Sequence, residues 1–505
     1  MSRIRIGLIV SSFVAVLLVP AAPAAGATFT FSGTVSTSGT VSRTHTFGVT
    51  APARIVGTLS WSGSADLDLF LNDAANVRRA RSAGSRNPEV ITFDADMSGT
   101  WKFRVTAASG SASYVLTVSV AAIPPPDPIE VGAAVEAGIA QDTRTWSANI
   151  SDANGDGIAD VFLVRHALAA RLYLGDADGR FHETLAGTFR KRDRHDCDWA
   201  DVNLDGRQDL YCSIGADHGT GVKANELWIQ RTDGTFAASA GAWGVTDPYG
   251  RGRWVTFIDV NHDPYPDLFV GNHFPRKDGI GSPNRLFIND RGQRFVERVV
   301  PGLTREAGGY CARAADLNGD GWEDLIVCGD PKMLIYTNAG GTSFTDVTSS
   351  VGVSGFWRSA VAADLNGDAR LDLAMLNRGR FQVQLQGSTG RFASPIGTRS
   401  LVAGRHVTAA DWDGDGDIDL YVTQSTTSTS SSNVTSNAPD LLLRNDGTGT
   451  FTPVATIPTT TRGRGDAAEP LDRDGDGAAG FLVMNGEGNP GDIPETAGPI
   501  QLIEA

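Results

Sequence analysis

Beyond residue 19 this chain holds no apolar run long enough to cross a bilayer as a helix, which takes about 20 residues. It contains neither His-Glu-x-x-His nor Gly-x-Ser-x-Gly, which removes the usual zinc-protease and serine-hydrolase signatures. Its eight histidines are scattered. Positive charge is in deficit, with 43 Lys and Arg against 58 Asp and Glu and a formal charge of −15. That balance speaks against nucleic acid and anionic membranes as partners. Cysteine is scarce, with four residues, Cys197, Cys212, Cys311 and Cys328, while glycine is plentiful at 59 of 505. Such a chain has room for two or three domains with substantial cores, and its glycines suit a turn-rich all-β protein.

What the chain does hold is acid in a strict pattern. Asp411, Asp413, Asp415 and Asp419 fall within nine residues, with Gly416 between the third and the last. Oxygen donors at positions 1, 3 and 5 can curl around one ion if a flexible residue at position 6 turns the chain before position 9 closes the shell. Ca²⁺ suits such a set because it accepts many hard oxygen ligands in loose geometry. An EF-hand would continue to a Glu at position 12 and into a helix, whereas here Leu420-Tyr-Val-Thr follows and reads as a strand.

The pattern recurs without slipping. Its copies supply Asp152, Asn154, Asp156 and Asp160; Asp201, Asn203, Asp205 and Asp209; Asp259, Asn261, Asp263 and Asp267; Asp316, Asn318, Asp320 and Asp324; Asp364, Asn366, Asp368 and Asp372; the run at 411–419; and Asp472, Asp474 and Asp476. Pro264 and Ala369 replace the turn glycine in two copies, and Gly480 stands at the closing position of the last. Up to seven Ca²⁺ ions are therefore expected, with the occupancy of those three copies open. Starts lie 49, 58, 57, 48, 47 and 61 residues apart, too far for a nonapeptide solenoid and suited to propeller blades.

At the beginning, Arg3 and Arg5 precede the apolar run 6–19 and the small residues 21–27, the layout of a secretory signal peptide. Export to a secreted or extracytoplasmic location, periplasm or cell surface, follows as an expectation. Losing both arginines deepens the net charge to −17. Counting from the first Asp of their loops, Cys197 and Cys212 lie at −4 and +11, and Cys311 and Cys328 at −5 and +12. Both pairs sum to +7, as facing residues of an antiparallel hairpin must, which predicts two disulfides, Cys197 with Cys212 and Cys311 with Cys328. Neighbouring cross-strand positions alternate between wide and narrow, so the two bridges differ in geometry unless a bulge intervenes.

Residues 28–121 lack an acidic loop and carry alternating runs, among them Asp66-Leu-Asp-Leu-Phe-Leu, Trp101-Lys-Phe-Arg-Val and Tyr114-Val-Leu-Thr-Val-Ser-Val, which predict a β-sandwich with Asp66 and Asp68 facing outward. Their order resembles the pre-peptidase C-terminal domain, an accessory module of secreted bacterial proteins. A Pro-rich stretch, 122–128, reads as a stiff linker. From 129 to 505 each unit reads as strand, acidic loop, strand, connection and a hairpin whose tip leads to Phe181, Phe236, Phe295, Phe344, Phe392 or Phe451. The seventh unit stops one strand short. Residues 129–138 resemble 344–352, so an N-terminal strand is expected to complete the last blade and close a seven-bladed propeller.

These units resemble the FG-GAP or VCBS repeats of integrin α-type propellers, in which the acidic loop between the two inner strands binds Ca²⁺. The resemblance implies extracellular recognition or adhesion, with a glycan or protein as partner and calcium in the loops at positions 1, 3, 5 and 9. Some secreted polysaccharide lyases resemble it too, and a lyase or glycosidase is the alternative reading. The basic run 190–195 offers side chains for such chemistry, though it reads more simply as a solvated inter-blade loop. Six residues before each loop stand Trp146, His195, Arg253, Tyr310, Arg358, Arg405 and Asp466, with glycine preceding four of them. No member is small or aliphatic, which marks a candidate ligand ring opposite the calcium face.

Overall fold

The computed structural model describes residues 27–504 except 40, 51–52, 83–86, 96–97, 123–129, 140–144, 217–219, 274–281, 304–307, 402–403, 425–438, 455–466, 474, 476 and 486–499. Residues 1–26, which fall in the expected signal peptide, nearly all of the Pro-rich stretch, and Asp466, Asp474 and Asp476 thus lie outside the described residues. Every regular element among the described residues is a β-strand. The chain divides into two compact units at residues 127 and 128.

In the first unit, one antiparallel sheet orders Ala27–Ser36, Ser111–Ala122, Ala53–Trp61 and Glu89–Ala95, and the other orders Ser42–Val49, Gly99–Ser109, Asp66–Asn72 and Arg78–Ser82. The period-two alternation of a strand sorts their side chains. Leu67, Leu69 and Leu71 are fully buried beside Trp101 and Phe103, while Asp66 and Asp68 are only half-buried. Burying each such large apolar group contributes about 1.5–3 kcal/mol. Glu89 is buried because its carboxylate accepts the Leu69 N–H at 2.9 Å.

Among the described residues the second unit contains five four-stranded antiparallel sheets and one eight-stranded sheet that joins two further four-stranded blades, seven blades in all. Their innermost strands are Thr145–Ser151, Arg192–Ala200, Gly252–Ile258, Gly308–Ala315, Ser359–Ala363, Gly404–Ala410 and Ala467–Leu471, numbered here as blades 1 to 7. Each pairs with the strand beginning just after its acidic loop, and blades 1 and 2 are additionally linked by His166 opposite Asp193. In blade 7 the fourth strand is Glu130–Ala133, paired with Gln501–Glu504, so the closing strand comes from the other end of the unit as the sequence leads one to expect. Its likeness to 344–352 extends to the following turn. Gly138 and Gly352 both take a positive φ, 98° and 88°, and each lies against the carbonyl of the next blade's phenylalanine, Phe181 or Phe392. A Cβ at Gly138 would overlap that carbonyl.

Apolar clusters lie between successive blades, so each sheet is sandwiched by its neighbours. Cys197–Cys212 and Cys311–Cys328 are both formed, each between directly opposite residues. Their one-residue offset sends them to opposite faces of their sheets. The first bridge packs with blade 1 residues such as Phe162, and the second with blade 5 residues such as Trp357.

A second repeated joint ties the blades together. In blades 2 to 6 an amide side chain at the end of the third strand donates to the carbonyl at loop position 2 of the preceding blade: Gln230 to Ala153, Asn289 to Val202, Asn338 to Val260, Gln386 to Leu317 and Asn445 to Leu365, at 2.7–2.9 Å. Between blades 7 and 1 this joint is replaced. Gly175 stands where blade 1 would carry the amide, and Arg473 instead pairs with Glu504 at 2.6 Å and donates to the Gly179 carbonyl at 3.2 Å.

Candidate functional site

The acidic loops connect the first and second strands of their blades and share one backbone design. Position 5 carboxylates accept the N–H of position 7, as Asp156 does from Ile158 and Asp320 from Trp322, both at 2.9 Å. Position 1 accepts the N–H of position 6, as Asp152 does from Gly157 and Asp472 from Gly477. Ala369 preserves that bond with φ 63°. Proline has no N–H to offer, and at Pro264 the loop is held differently. His262 takes φ 57°, donates its N–H to Asp259, stacks on Trp322 with ring centroids 3.7 Å apart, and meets the Gly321 carbonyl at 2.6 Å. The Glu323 carboxylate accepts the Asp259 N–H at 2.6 Å.

Position 9 has a role that sequence spacing does not reveal. Asp160, Asp209, Asp267, Asp324, Asp372 and Asp419 are all buried. One oxygen of each accepts the N–H of loop position 2, and the other accepts the N–H at the end of the third strand, as Asp209 does from Val202 and Gln230. Each residue therefore fixes the loop to its sheet while retaining further lone pairs on its oxygens. Burial pushes Asp160 and Asp324 up to about 6 and Asp209, Asp267 and Asp419 up to about 7, with neighbouring loop carboxylates adding to the effect.

Fit to a hard cation is plainest in blade 6. Donor atoms of Asp411, Asp413 and Asp419 lie within 4.8 Å of one another. One oxygen each of Asp411 and Asp413 is buried without a hydrogen-bond partner, although Arg444 approaches Asp413 at 2.5 Å and Asp415 at 3.0 Å. Convergent carboxylates with unfilled lone pairs suit Ca²⁺.

The ring six residues before each loop has a structural basis. In blades 1, 2, 3, 4 and 6 the pairing of the first two strands shifts register at that residue, so Trp146, His195, Arg253, Tyr310 and Arg405 each occupy a β-bulge. A bulge bends its strand and re-aims one side chain. Blade 5 has no such shift, and Arg358 there stands just before the strand, donating its N–H to the Leu376 carbonyl.

Side chains of five successive blades form a continuous belt. Trp146 meets His195 edge-on at 4.8 Å, His195 and Arg253 interact electrostatically, as do Arg253 and Tyr310, and Arg358 lies 5.2 Å over the Tyr310 ring. Burial and the nearby Arg253 push His195 down to about 3, and burial lowers Arg253 to about 10.

The basic run 190–195 is not a solvated loop. Arg190, Lys191 and Arg192 are exposed, but the chain has entered the innermost strand by Arg192, and Arg194 and His195 are 0% and 3% exposed. Arg194 is neutralised by Glu226 at 2.7 Å and donates to the Arg190 carbonyl at 2.8 Å.

Inside the ring of innermost strands lies a polar cavity of about 250 Å³, lined by Asn149, Asp196, Asp198, Trp254, Arg313 and Glu469 among others. These strands are edges with unpaired N–H groups, and side chains of the preceding blade cap them: Asp196 accepts from Val255, Asp198 from Phe257 and Ser359 from Val407. Burial raises Asp198 to about 6 and Glu469 to about 7, with Arg313 opposing both shifts. Sequence reasoning missed this set, as it missed His166 and Asp193. Its only trace is charge at the third and fifth residues before a loop, where strand interiors are otherwise small or apolar.

Comparison with known proteins recognises the repeats. A family model described as FG-GAP-like repeat matches residues 152–212, 201–270, 316–375 and 364–422, each match beginning at the first Asp of a loop, so the chain carries FG-GAP-type repeats. It is 33% identical over 101 residues to integrin alpha-3 of Mus musculus, across 18% of this chain and 10% of the integrin. It is 31% identical over 99 residues to human (Homo sapiens) cartilage acidic protein 1, across 19% of this chain and 14% of that protein. The chain thus spans a small fraction of these relatives. Among solved structures, an Agrocybe aegerita lectin described as recognising non-reducing terminal N-acetylglucosamine matches at 18% identity and TM-score 0.42, over 78% of this chain and 92% of the lectin. The pre-peptidase C-terminal domain of a Bacillus anthracis collagenase matches at 21% identity and TM-score 0.16, over 18% and 87% respectively. FG-GAP-type repeats and two disulfides are consistent with an extracellular recognition module, and no helix among the described residues is long and apolar enough to cross a membrane.

Proposed function

We propose that this is an exported, calcium-stabilised propeller that recognises an extracellular glycan or protein, with the N-terminal sandwich, similar to a pre-peptidase C-terminal domain, as an accessory module. Acidic loops other than that of blade 3 hold Ca²⁺ through Asp and Asn at positions 1, 3 and 5 together with Asp at position 9 where it is present. Ligand is gripped by the belt of Trp146, His195, Arg253, Tyr310 and Arg358, with Arg405 contributing from blade 6. The observation that carries this reading is the repeated bulge, which turns out a large aromatic or charged side chain at one level of five blades. Guanidinium groups beside aromatic faces suit an acidic or sugar ligand through charge-assisted hydrogen bonds and ring stacking.

A glycan array read with Ca²⁺ and with chelator tests the proposal, using a variant in which Arg253, Arg358 and Arg405 are replaced by alanine. Binding lost in that variant, with calcium-dependent melting retained, is the expected result. Full binding by the variant would remove the belt from the ligand site. Release of unsaturated oligosaccharides from polyanionic glycans would replace recognition by lyase chemistry.

A further inference from the structure

We infer that His166, Asp193 and His195 form a binding site for a zinc-class divalent ion, chemically separate from the acidic loops; it shares His195 with the belt but does not rest on the belt binding a glycan. His166 lies on the second strand of blade 1, Asp160–Leu168, directly opposite Asp193 on the innermost strand of blade 2. His195 follows two residues after Asp193 and sits in the bulge, which re-aims its ring so that it reaches the Asp193 carboxylate.

The three donor atoms converge. Both imidazole Nε2 atoms approach one oxygen of Asp193, at 2.8 Å from His166 and 3.4 Å from His195, and all three lie within 4.8 Å of one another. Tetrahedral zinc with bonds near 2.0–2.1 Å needs donors about 3.3 Å apart, a spacing the two measured separations bracket. Both imidazoles are buried, at 7% and 3% exposure. Neither Nδ1 atom has a hydrogen-bond partner. Ligation through Nε2 moves each imidazole proton from Nε2 to the unoccupied Nδ1 and replaces the hydrogen bonds to Asp193 by bonds to the metal.

The surroundings keep these groups in place. Trp146 packs on both rings, at 5.1 Å from His166 and 4.8 Å from His195, limiting the turn of either. On another side stands Gly215, whose N–H donates to the Asp193 carbonyl at 2.7 Å, and a Cβ there would overlap the Asp193 carboxylate and the His195 ring.

Two imidazoles and one carboxylate favour zinc over calcium, which prefers an all-oxygen shell. Three protein ligands leave a fourth position open. Arg253, in electrostatic reach of Asp193 and His195, adds positive charge, so hydroxide or an anionic ligand completes the shell in preference to neutral water.

The test uses the full chain in excess Ca²⁺, so that the acidic loops are already supplied, with Zn²⁺ and Co²⁺ as probes. One zinc ion should survive equilibrium dialysis, its X-ray absorption should show imidazole scattering, and the cobalt form should show ligand-field bands in the visible. His166→Gln and His195→Gln should each weaken retention by more than about tenfold, while Asp415→Ala should leave it unchanged. No retained zinc, an all-oxygen shell, or undiminished retention by the His166→Gln/His195→Gln double variant would overturn the assignment. Should the variants fail to fold, imidazole nitrogen shifts of the unaltered chain on zinc addition decide: movement at His166 and His195 supports the site, and unmoved signals refute it.

Discussion

Blades 3 and 6 carry the same nine-residue loop and hold it by different means. In blade 6, Asp411, Asp413 and Asp419 converge, and one oxygen each of Asp411 and Asp413 is buried and unpartnered, a donor set that suits a cation. In blade 3, Pro264 removes the N–H that position 1 would accept. There His262 stacks on Trp322 of the next blade, and Glu323 accepts the Asp259 N–H. Under the calcium proposal, one geometry is left to an ion in blade 6 and to a neighbour's side chains in blade 3, and the acidic signature alone does not say which.

The largest effect expected from this contrast is on the whole molecule. Excess chelator should lower the melting temperature markedly, and Ca²⁺ should restore it in preference to Mg²⁺. A site saturated at 100 times its Kd adds about 2.7 kcal/mol when the unfolded chain binds nothing, and several sites act together. An unchanged melting curve would mean that protein contacts hold every loop as they hold the third.

Next in size is the difference between single loops. Asp415→Ala should reduce calcium stoichiometry by one in equilibrium dialysis and shrink the calcium-dependent gain in melting temperature, whereas Asp263→Ala should change neither. Equal losses would erase the distinction. Trp322→Ala should act in the opposite regime, destabilising the protein by about 1 kcal/mol through loss of the His262 stack and doing so equally with and without chelator, as thermal melts can show. If its effect disappears when calcium is added, the third loop is ion-held after all.

The smallest effect isolates protons from calcium. Glu469, in the cavity, is pushed up to about 7 chiefly by burial, above its ordinary 4.5. The folded state therefore holds a proton that the unfolded state has released between pH 4.5 and 7. Its contribution to stability is fully present below about 4.5 and is lost as pH rises through about 7. Relative to the unaltered chain, Glu469→Gln should gain stability as pH increases across that window and level off above it, measured by melting at constant free Ca²⁺. A flat difference would place the Glu469 carboxyl in ordinary solvent.

Features written within a few residues were legible in the sequence. Loop spacing, the constant sum that pairs Cys197 with Cys212 and Cys311 with Cys328, and the likeness of 129–138 to 344–352 all rest on local pattern. Features created by neighbouring blades were not. Arg194 reads as a surface charge because its partner Glu226 is 32 residues away, and His166 meets Asp193 only through pairing between two blades. Nor does spacing disclose that the position 9 carboxylates anchor the third strands, or that Leu204 and His262 adopt a positive φ, 55° and 57°, at a loop position where the other copies carry glycine. An isolated left-handed conformation of that kind costs about 1–2 kcal/mol, an amount that surrounding contacts can offset.

Pairing of Glu130–Ala133 with Gln501–Glu504 also sets an order in time. The ring cannot be finished until a segment near one end of the unit meets one near the other, across about 370 residues. Closing so long a loop costs about 5 kcal/mol of chain entropy, a term reduced once the intervening blades have stacked and brought the ends together. Until then the growing arc exposes an unpaired edge at Gln501–Glu504 and a free strand at Glu130–Ala133, which a second arc could satisfy equally well. Dilution during refolding should therefore favour closed single rings, and crowding should favour chains that have exchanged their closing strands.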